Sequence, residues 1–477
     1  MAEPIVFPGE HQSNAAREVI ARHEPHGLRT FTPSQAVLAR AAGPFVFTPE
    51  GRRLWDYTSG VLVANLGHNP AGWWQRVCEL MGWVREHAKP PAEGGDAAAQ
   101  EYLPAAPLTA YNAITPLEVQ AVEALLRVAR RTPCGEKLDG VMWAASGSEA
   151  VQKALWACLR RDRERPIILA TRHGFHGKKG LAGAVTGTEH DPERDPRVRF
   201  IAFPREEIDD VSKQAELDLQ PYAAELDAVW QELGRRIGTL ITEPYLGGGG
   251  SYHPPSAYLQ LLQRFCDEHD VLLVLDEVQS NFGRTGAMFA FEKHGLRPDF
   301  VTLGKGLGNG VPVSAVLGRM DLMELLDYGE LSDTWSAHPL GCAAVVATIE
   351  QFERDNVLQH VSRLTPVFVE GLDRLKQTGL IAKVRGEGLV FGIEAAPFAG
   401  RTAEQVAVEI VRAAYLGEPG GDGVHLLGPL AGRVLRISPP MTITLEQAED
   451  SLGVLQRVLR ALAERLVAEP QPTAASG

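Results

Sequence analysis

The sequence predicts an α/β protein, with a large domain built on a mostly parallel sheet flanked by helices and a smaller α+β domain beside it. Three observations carry this reading. Between about 140 and 320, short apolar runs alternate with amphipathic helical stretches, the pattern of βαβ units whose sheet is covered on both faces. Beyond about 340 the texture changes to long helical stretches with one short strand. The chain has 477 residues, 44% hydrophobic and 22% charged, enough to bury a core of more than one unit and too apolar for a disordered chain.

Taken in order, Leu54–Leu66 reads as strand-like and stands apart from the central alternation, so the first ~75 residues are expected to pack with the C-terminal unit. The central apolar runs are Val141–Ala145, Ile167–Ala170, Leu240–Thr242, Val271–Leu275, Phe300–Leu303 and Ser314–Leu317. Pro254–Asp270 shows helical spacing, with Leu259, Leu262 and Phe265 or Cys266 on one face. Leu340–Glu353, Val361–Gln377 and Leu445–Val467 read as helices and Arg433–Ile437 as a short strand. The expected division is 1–75 as an N-terminal segment packing with the small domain, 76–340 as the large domain, 341–468 as the small domain and 469–477 as a frayed tail.

Charge and cysteine usage exclude several classes. With 47 Lys+Arg against 60 Asp+Glu the net charge is −13, which argues against nucleic acid as a partner because phosphate neutralisation needs concentrated Lys and Arg. The densest basic patch, Arg160, Arg161, Arg163 and Arg165, reads as the solvated end of a helix. Cys78, Cys134, Cys158, Cys266 and Cys342 are scattered and never spaced as CxxC, so neither a disulfide framework nor a metal site is expected. No apolar N-terminal h-region and no membrane-length apolar run is present. A cytoplasmic location without a membrane partner is the expectation.

Four features of the central region carry chemistry. Ser146-Gly147-Ser148-Glu149 follows an apolar strand and opens a helix; taken alone it reads first as a capping box, the alternative being an N-terminus whose N–H groups hold a phosphate. Asp276 ends the run Val271–Leu275, at the carboxyl end of a buried strand where ligands bind in open α/β sheets. Such a carboxylate is a helix cap or structural ion pair, or it meets a cationic ligand. Lys305 lies between Phe300–Leu303 and the turn Gly306-Leu307-Gly308-Asn309-Gly310. A lysine there is either a solvated turn residue or a desolvated amine that attacks aldehydes. The turn is not a Walker A loop, because Gly306 stands where Ser or Thr would hold magnesium. Arg172-His173-Gly174-Phe175-His176-Gly177 follows the run ending at Ala170 and offers an aromatic to stack on a planar ring. Together, an anion cradle, a stacking aromatic, a buried carboxylate for a pyridinium nitrogen and a Schiff-base lysine define a pyridoxal 5'-phosphate site.

On these residues the chain resembles the fold-type I pyridoxal-phosphate transferases and, within them, the class III aminotransferases, ω-transaminases included. The resemblance runs from about Leu54 to Thr444. It includes Trp55–Val61, Gly67-His68-Asn69-Pro70, the Glu243-Pro244 pair, Gly283-Arg284-Thr285-Gly286, Thr334–Pro339 and Leu435–Pro440. It implies that Lys305 carries the cofactor and moves the substrate proton, and that Asp276 keeps the pyridine nitrogen protonated. Val278 would face the ring opposite Phe175, with Gln279 on the phenolic oxygen and Gly147 and Ser148 on the phosphate. Thr334 would reach the phosphate of a partner subunit, so the sites are shared in a homodimer or a larger assembly. Arg436 would grip a substrate carboxylate, and Val61 and Glu243 would join it in the substrate pocket, lined by loops around Trp55–Val63, Ala88–Leu108 and Gly247–Tyr252.

Two departures from the family pattern bear on substrate and on the shape of the loop before Thr334. Gly248 stands where glutamate-using members carry a second glutamate that parks the carboxylate-binding arginine, and Ser332-Asp333 replaces a common Gly-Phe. The expected activity is ping-pong transfer of an amino group from an amine or ω-amino acid to a 2-oxo acid, pyruvate favoured. The alternatives are a 4-aminobutyrate- or ornithine-type aminotransferase coupled to 2-oxoglutarate, and a decarboxylase or aminomutase on the same scaffold.

Overall fold

The computed structural model describes residues 4–28, 30–84, 105–191, 194–205, 207, 210–211 and 217–469. Residues 470–477 of the expected tail, and 88–104 of the expected pocket segment, lie outside the described residues. Glu469, expected to fray, is tied to Arg401 Nη2 at 2.6 Å.

Strands β1 (Arg40–Ala42), β2 (Phe45–Phe47) and β3 (Arg53–Asp56) precede the large domain. Its strands are β4 (Gly140–Ala144), β5 (Ile167–Thr171), β6 (Val198–Ile201), β7 (Ile237–Thr242), β8 (Leu272–Asp276), β9 (Phe300–Leu303) and β10 (Ser314–Gly318). They form one seven-stranded sheet in the order β4-β10-β9-β8-β7-β5-β6. All neighbours from β9 to β6 are parallel, and only β10 runs against its neighbours. Every residue of β5, β7, β8, β9 and β10 is buried, as apolar strands covered on both faces must be. The six runs read from the sequence all fall on strands of this sheet; β6, whose Val198 and Arg199 face outward, lacks a continuous apolar run.

The small domain carries β11 (Ile381–Glu387), β12 (Val390–Ala395), β13 (Gly423–His425) and β14 (Val434–Ile437). β11-β12-β14 form an antiparallel sheet, while β13 joins β1-β2-β3 by pairing in parallel with β3. The N-terminal segment therefore packs with the C-terminal unit. The helices Pro339–Arg354, Val357–Arg374 and Leu445–Ala468 match the expected stretches to within a few residues. No described helix is long and apolar enough to cross a membrane.

Two expectations are corrected. Leu54–Leu66 is not one strand: β3 ends at Asp56, and Ser59, Gly60, Val61 and Leu62 take φ of 47°, 60°, 68° and 60°. A left-handed turn costs roughly 1–2 kcal/mol per non-glycine residue, so tertiary bonds must impose it. Thr58 Oγ1 accepts from Gly60 N at 3.0 Å, Ser59 Oγ donates to the Ser438 carbonyl at 2.7 Å, and the buried Arg284 reaches Ser59 Oγ at 3.3 Å and Asn65 Oδ1 at 2.5 Å. The basic patch is not wholly solvated either. Arg165 is buried, donating to the Ile237 carbonyl at 2.7 Å and pairing with Asp270 at 2.9 Å.

Candidate active site

The carboxyl ends of β4, β5, β7, β8 and β9 converge on one region. β4 leads into the Gly147–Arg161 helix, where Ser146 Oγ accepts from Glu149 N at 3.3 Å and Glu149 Oε2 accepts from Ser146 N at 3.1 Å. The capping box uses the third helical N–H and leaves those of Gly147 and Ser148 without an intrahelical acceptor. A Cβ on Gly147 would stand 2.9 Å from Val278 Cγ1, so only glycine lets this N-terminus lie against Val278. One helix end is thus capped and still offers two free N–H groups to an anion.

Asp276, 4% exposed, is held by three donors. Oδ1 accepts from Val278 N at 3.0 Å and from Thr302 Oγ1 on β9 at 2.9 Å. Oδ2 lies 2.7 Å from His176 Nδ1. Burial opposes the protonation of His176, but the hydrogen bond and charge of Asp276, with the charge of Glu243, hold its pKa above the usual value. One residue from His176, the Phe175 ring is 40% exposed and available to stack. The sequence singles out only the aromatic of the 172–177 segment; the structure adds its histidine, and no local pattern signals that it meets a strand-end carboxylate.

Lys305 follows an extended Gly304 and has φ 48°, a conformation bulky residues avoid unless the surroundings impose it. Desolvation pulls its pKa down to about 8, against the charges of Asp276 and Glu243 and with that of Arg436. No hydrogen-bond partner of its amine is found among the described residues. Glu243, at the end of β7, is buried, and burial pushes it up to about 7. Its two oxygens accept from Phe175 N at 2.9 Å and Gly247 N at 3.2 Å; it clamps two loops together rather than presenting a free carboxylate.

Arg436, on β14, is 5% exposed. Its Nη1 donates to Gln279 Oε1 at 2.8 Å and to the Gly247 carbonyl at 3.4 Å, and its buried Nε has no partner. Burial lowers its pKa. A Cβ on Gly248 would lie 2.9 Å from Phe175 Cβ, so the glycine lets the aromatic approach. Val61, 39% exposed, projects from the left-handed turn, and Thr334 is exposed on a separate loop. A surface cavity of about 650 Å³ elsewhere, lined by Arg52, Arg53 and 416–422, offers no such chemistry, because Arg53 is paired with Asp422 and Arg52 with Glu10.

A helix N-terminus with two free N–H groups, a buried carboxylate, an exposed ring and a desolvated lysine at the carboxyl ends of strands of one sheet fit an anionic, planar, aldehyde-bearing cofactor; fold and site define a pyridoxal-phosphate enzyme. Residues 96–459 match the model of the aminotransferase class-III family. The chain belongs to that family and is an aminotransferase whose cofactor is pyridoxal 5'-phosphate. It is 31% identical to a 2-aminoadipate transaminase of Pseudomonas putida KT2440 over 87% of this chain and 94% of the relative. It is 30% identical to an omega-aminotransferase of Caulobacter vibrioides over 90% and 95%. The ornithine aminotransferase structure from Toxoplasma gondii ME49 superimposes with a TM-score of 0.76 over 95% of this chain and 96% of that one, at 20% identity.

Proposed function

We propose that the protein transfers the amino group of an amine or ω-amino acid to a 2-oxo acid, with pyruvate the favoured acceptor, by a ping-pong reaction in a homodimer or larger assembly with shared sites. The observation that carries the acceptor half is Arg436: a buried guanidinium with an unpartnered Nε, bonded to two neutral acceptors. A substrate carboxylate supplies the missing charge, and charge-assisted bonds of this kind are worth about 1.5–3 kcal/mol each. With Gly248 in place of a carboxylate, Arg436 rests on Gln279 when an uncharged donor group enters, and the space is left for an apolar or extended donor beside Val61.

Bound pyridoxal phosphate supplies the electron sink that lets the substrate carbon lose a proton. The chain's residues do the rest. Gly147 and Ser148 would hold the phosphate. Asp276, kept in register by Thr302 and His176, would meet the ring nitrogen, and Phe175 and Val278 would flank the ring. Gln279 would serve the phenolic oxygen. Lys305, whose amine desolvation pulls down to about 8, would carry the cofactor and, once released, take and return the substrate proton. Thr334 would reach the phosphate bound by a partner subunit.

The test is a single-turnover panel: the cofactor-loaded enzyme mixed with amines, ω-amino acids and α-amino acids, and the aminated enzyme with pyruvate and 2-oxoglutarate. Rapid bleaching by simple amines with pyruvate preferred as acceptor supports the proposal. Glutamate as the better donor, with 2-oxoglutarate preferred as acceptor, favours the 4-aminobutyrate- or ornithine-type reading, and loss of carbon dioxide or intramolecular amino transfer favours a decarboxylase or aminomutase.

A further inference from the structure

Lys153 lies on the helix whose first residues are Gly147 and Ser148, yet it is buried, only 7% exposed. A buried ammonium must be paired, and its partners come from a distant loop. Nζ donates to Asp333 Oδ2 at 2.8 Å, to Ser336 Oγ at 2.9 Å and to the Trp143 carbonyl, at the end of β4, at 2.6 Å. The other Asp333 oxygen accepts from Trp335 N at 2.9 Å and Ser336 N at 2.7 Å, so one carboxylate closes the turn around Thr334 while the lysine pins that turn to the helix. Thr334 and Trp335 are left exposed at its tip, Trp335 at 56%.

We infer that Asp333, held by Lys153, is a positioning residue that presents Thr334 to the cofactor phosphate of a second copy of this chain. This rests on the proposed reading that sites are shared through Thr334. Two physical features support it. An exposed loop holds one conformation only when its backbone donors are satisfied locally, and Asp333 satisfies two beside Thr334. A carboxylate next to a residue that must meet a phosphate dianion repels it unless neutralised, and Lys153 neutralises it at 2.8 Å. The same ion pair ties each protomer's own phosphate cradle to the loop it extends to its neighbour, so that ordering one favours the other.

The experiment measures the affinity of the apoenzyme for pyridoxal phosphate by equilibrium dialysis, with oligomeric mass checked by light scattering, for Thr334→Val, Asp333→Ala, their double variant and Asp333→Asn. Thr334→Val and Asp333→Ala should each weaken binding about tenfold, the double variant no more than Asp333→Ala alone, and Asp333→Asn, which keeps the acceptor for both N–H groups but leaves Lys153 without its counter-charge, should recover part of the loss. If Thr334→Val binds normally, the shared-site reading falls. If Thr334→Val binds weakly while Asp333→Ala binds normally, shared sites stand and the positioning role is overturned. Additive losses also overturn it, since Asp333 would then act by a route other than Thr334. Should Asp333→Ala not fold, Asp333→Asn and Lys153→Met carry the test: the uncompensated carboxylate of Lys153→Met must weaken phosphate binding more than Asp333→Asn does, and the reverse order overturns the role.

Discussion

Asp276 is 4% exposed and bonded by groups from three separate segments, whereas Val61 is 39% exposed and Arg436 leans on a neutral side chain and one carbonyl. The first set stands at the ends of sheet strands that hydrogen-bond to one another, Asp276 opposite Thr302 in the β8–β9 register. The second stands on turns and on the small domain's sheet. Chemistry common to every amino transfer needs fixed groups; admission of two unlike substrates needs groups that can change partners. On the proposed reading, cofactor geometry and substrate choice are separately built, and substitutions in the two regions should fail in different ways.

The largest effect is expected at Lys305. Lys305→Ala should abolish transamination and borohydride trapping of the cofactor while the fold persists; peptide mapping that finds the trapped cofactor on another lysine overturns the assignment. In the parent apoenzyme, uptake of the aldehyde should rise with pH through about 8, because the amine is desolvated; a rise only near the ordinary lysine value would contradict this.

Asp276→Ala comes next. Breaking a buried ion pair costs about 3–5 kcal/mol, so both half-reactions should slow roughly a hundredfold or more. Turnover within a few-fold of the parent would remove Asp276 from the machinery.

Arg436→Ala sharpens the contrast, since only one half-reaction should suffer. Single-turnover reaction with pyruvate should weaken about a hundredfold while that with a simple amine changes little. Equal losses in the two halves would mean that the arginine binds the donor's carboxylate as well, and 2-oxoglutarate coupling would become the better reading.

His176→Phe tests whether the His176–Asp276 contact is electrostatic or merely packed. Asp276 holds the histidine's pKa above its usual value near 6.5 despite burial, so the protonated pair stabilises the fold below that value and the benefit is lost as pH rises through the folded-state pKa. The melting-temperature gap between parent and variant apoenzyme should be widest below pH 6.5 and narrow at higher pH. A gap constant with pH would assign His176 to packing alone.

The smallest effect is expected at Gly248. A methyl group there meets Phe175 Cβ at 2.9 Å and Cγ at 3.3 Å, so Gly248→Ala should tilt the ring and weaken pyridoxal-phosphate binding a few-fold. Unchanged affinity would show that the ring gives way freely.

Much of this is legible in the sequence, and the reason is local. A buried parallel strand must be apolar along its whole length, so Val271–Leu275, Phe300–Leu303 and their neighbours announce themselves, and a polar residue that ends such a run, Asp276 above all, stands where a ligand meets the sheet. Glycine next to Lys305 and Ser146 before a helix are equally short-range signals. The tertiary structure alone decided what joins distant segments. The left-handed turn at Ser59–Leu62, where a strand was expected, exists because Arg284 and the Ser438 carbonyl hold it. Arg165 is buried because Ile237 and Asp270 receive it, and Lys153 because Asp333 does. The pairings His176 with Asp276 and Arg436 with Gln279 bring together residues 100 and 157 positions apart. Periodicity and propensity act over a few residues, whereas a buried polar group is satisfied by whichever segment the completed fold delivers to it.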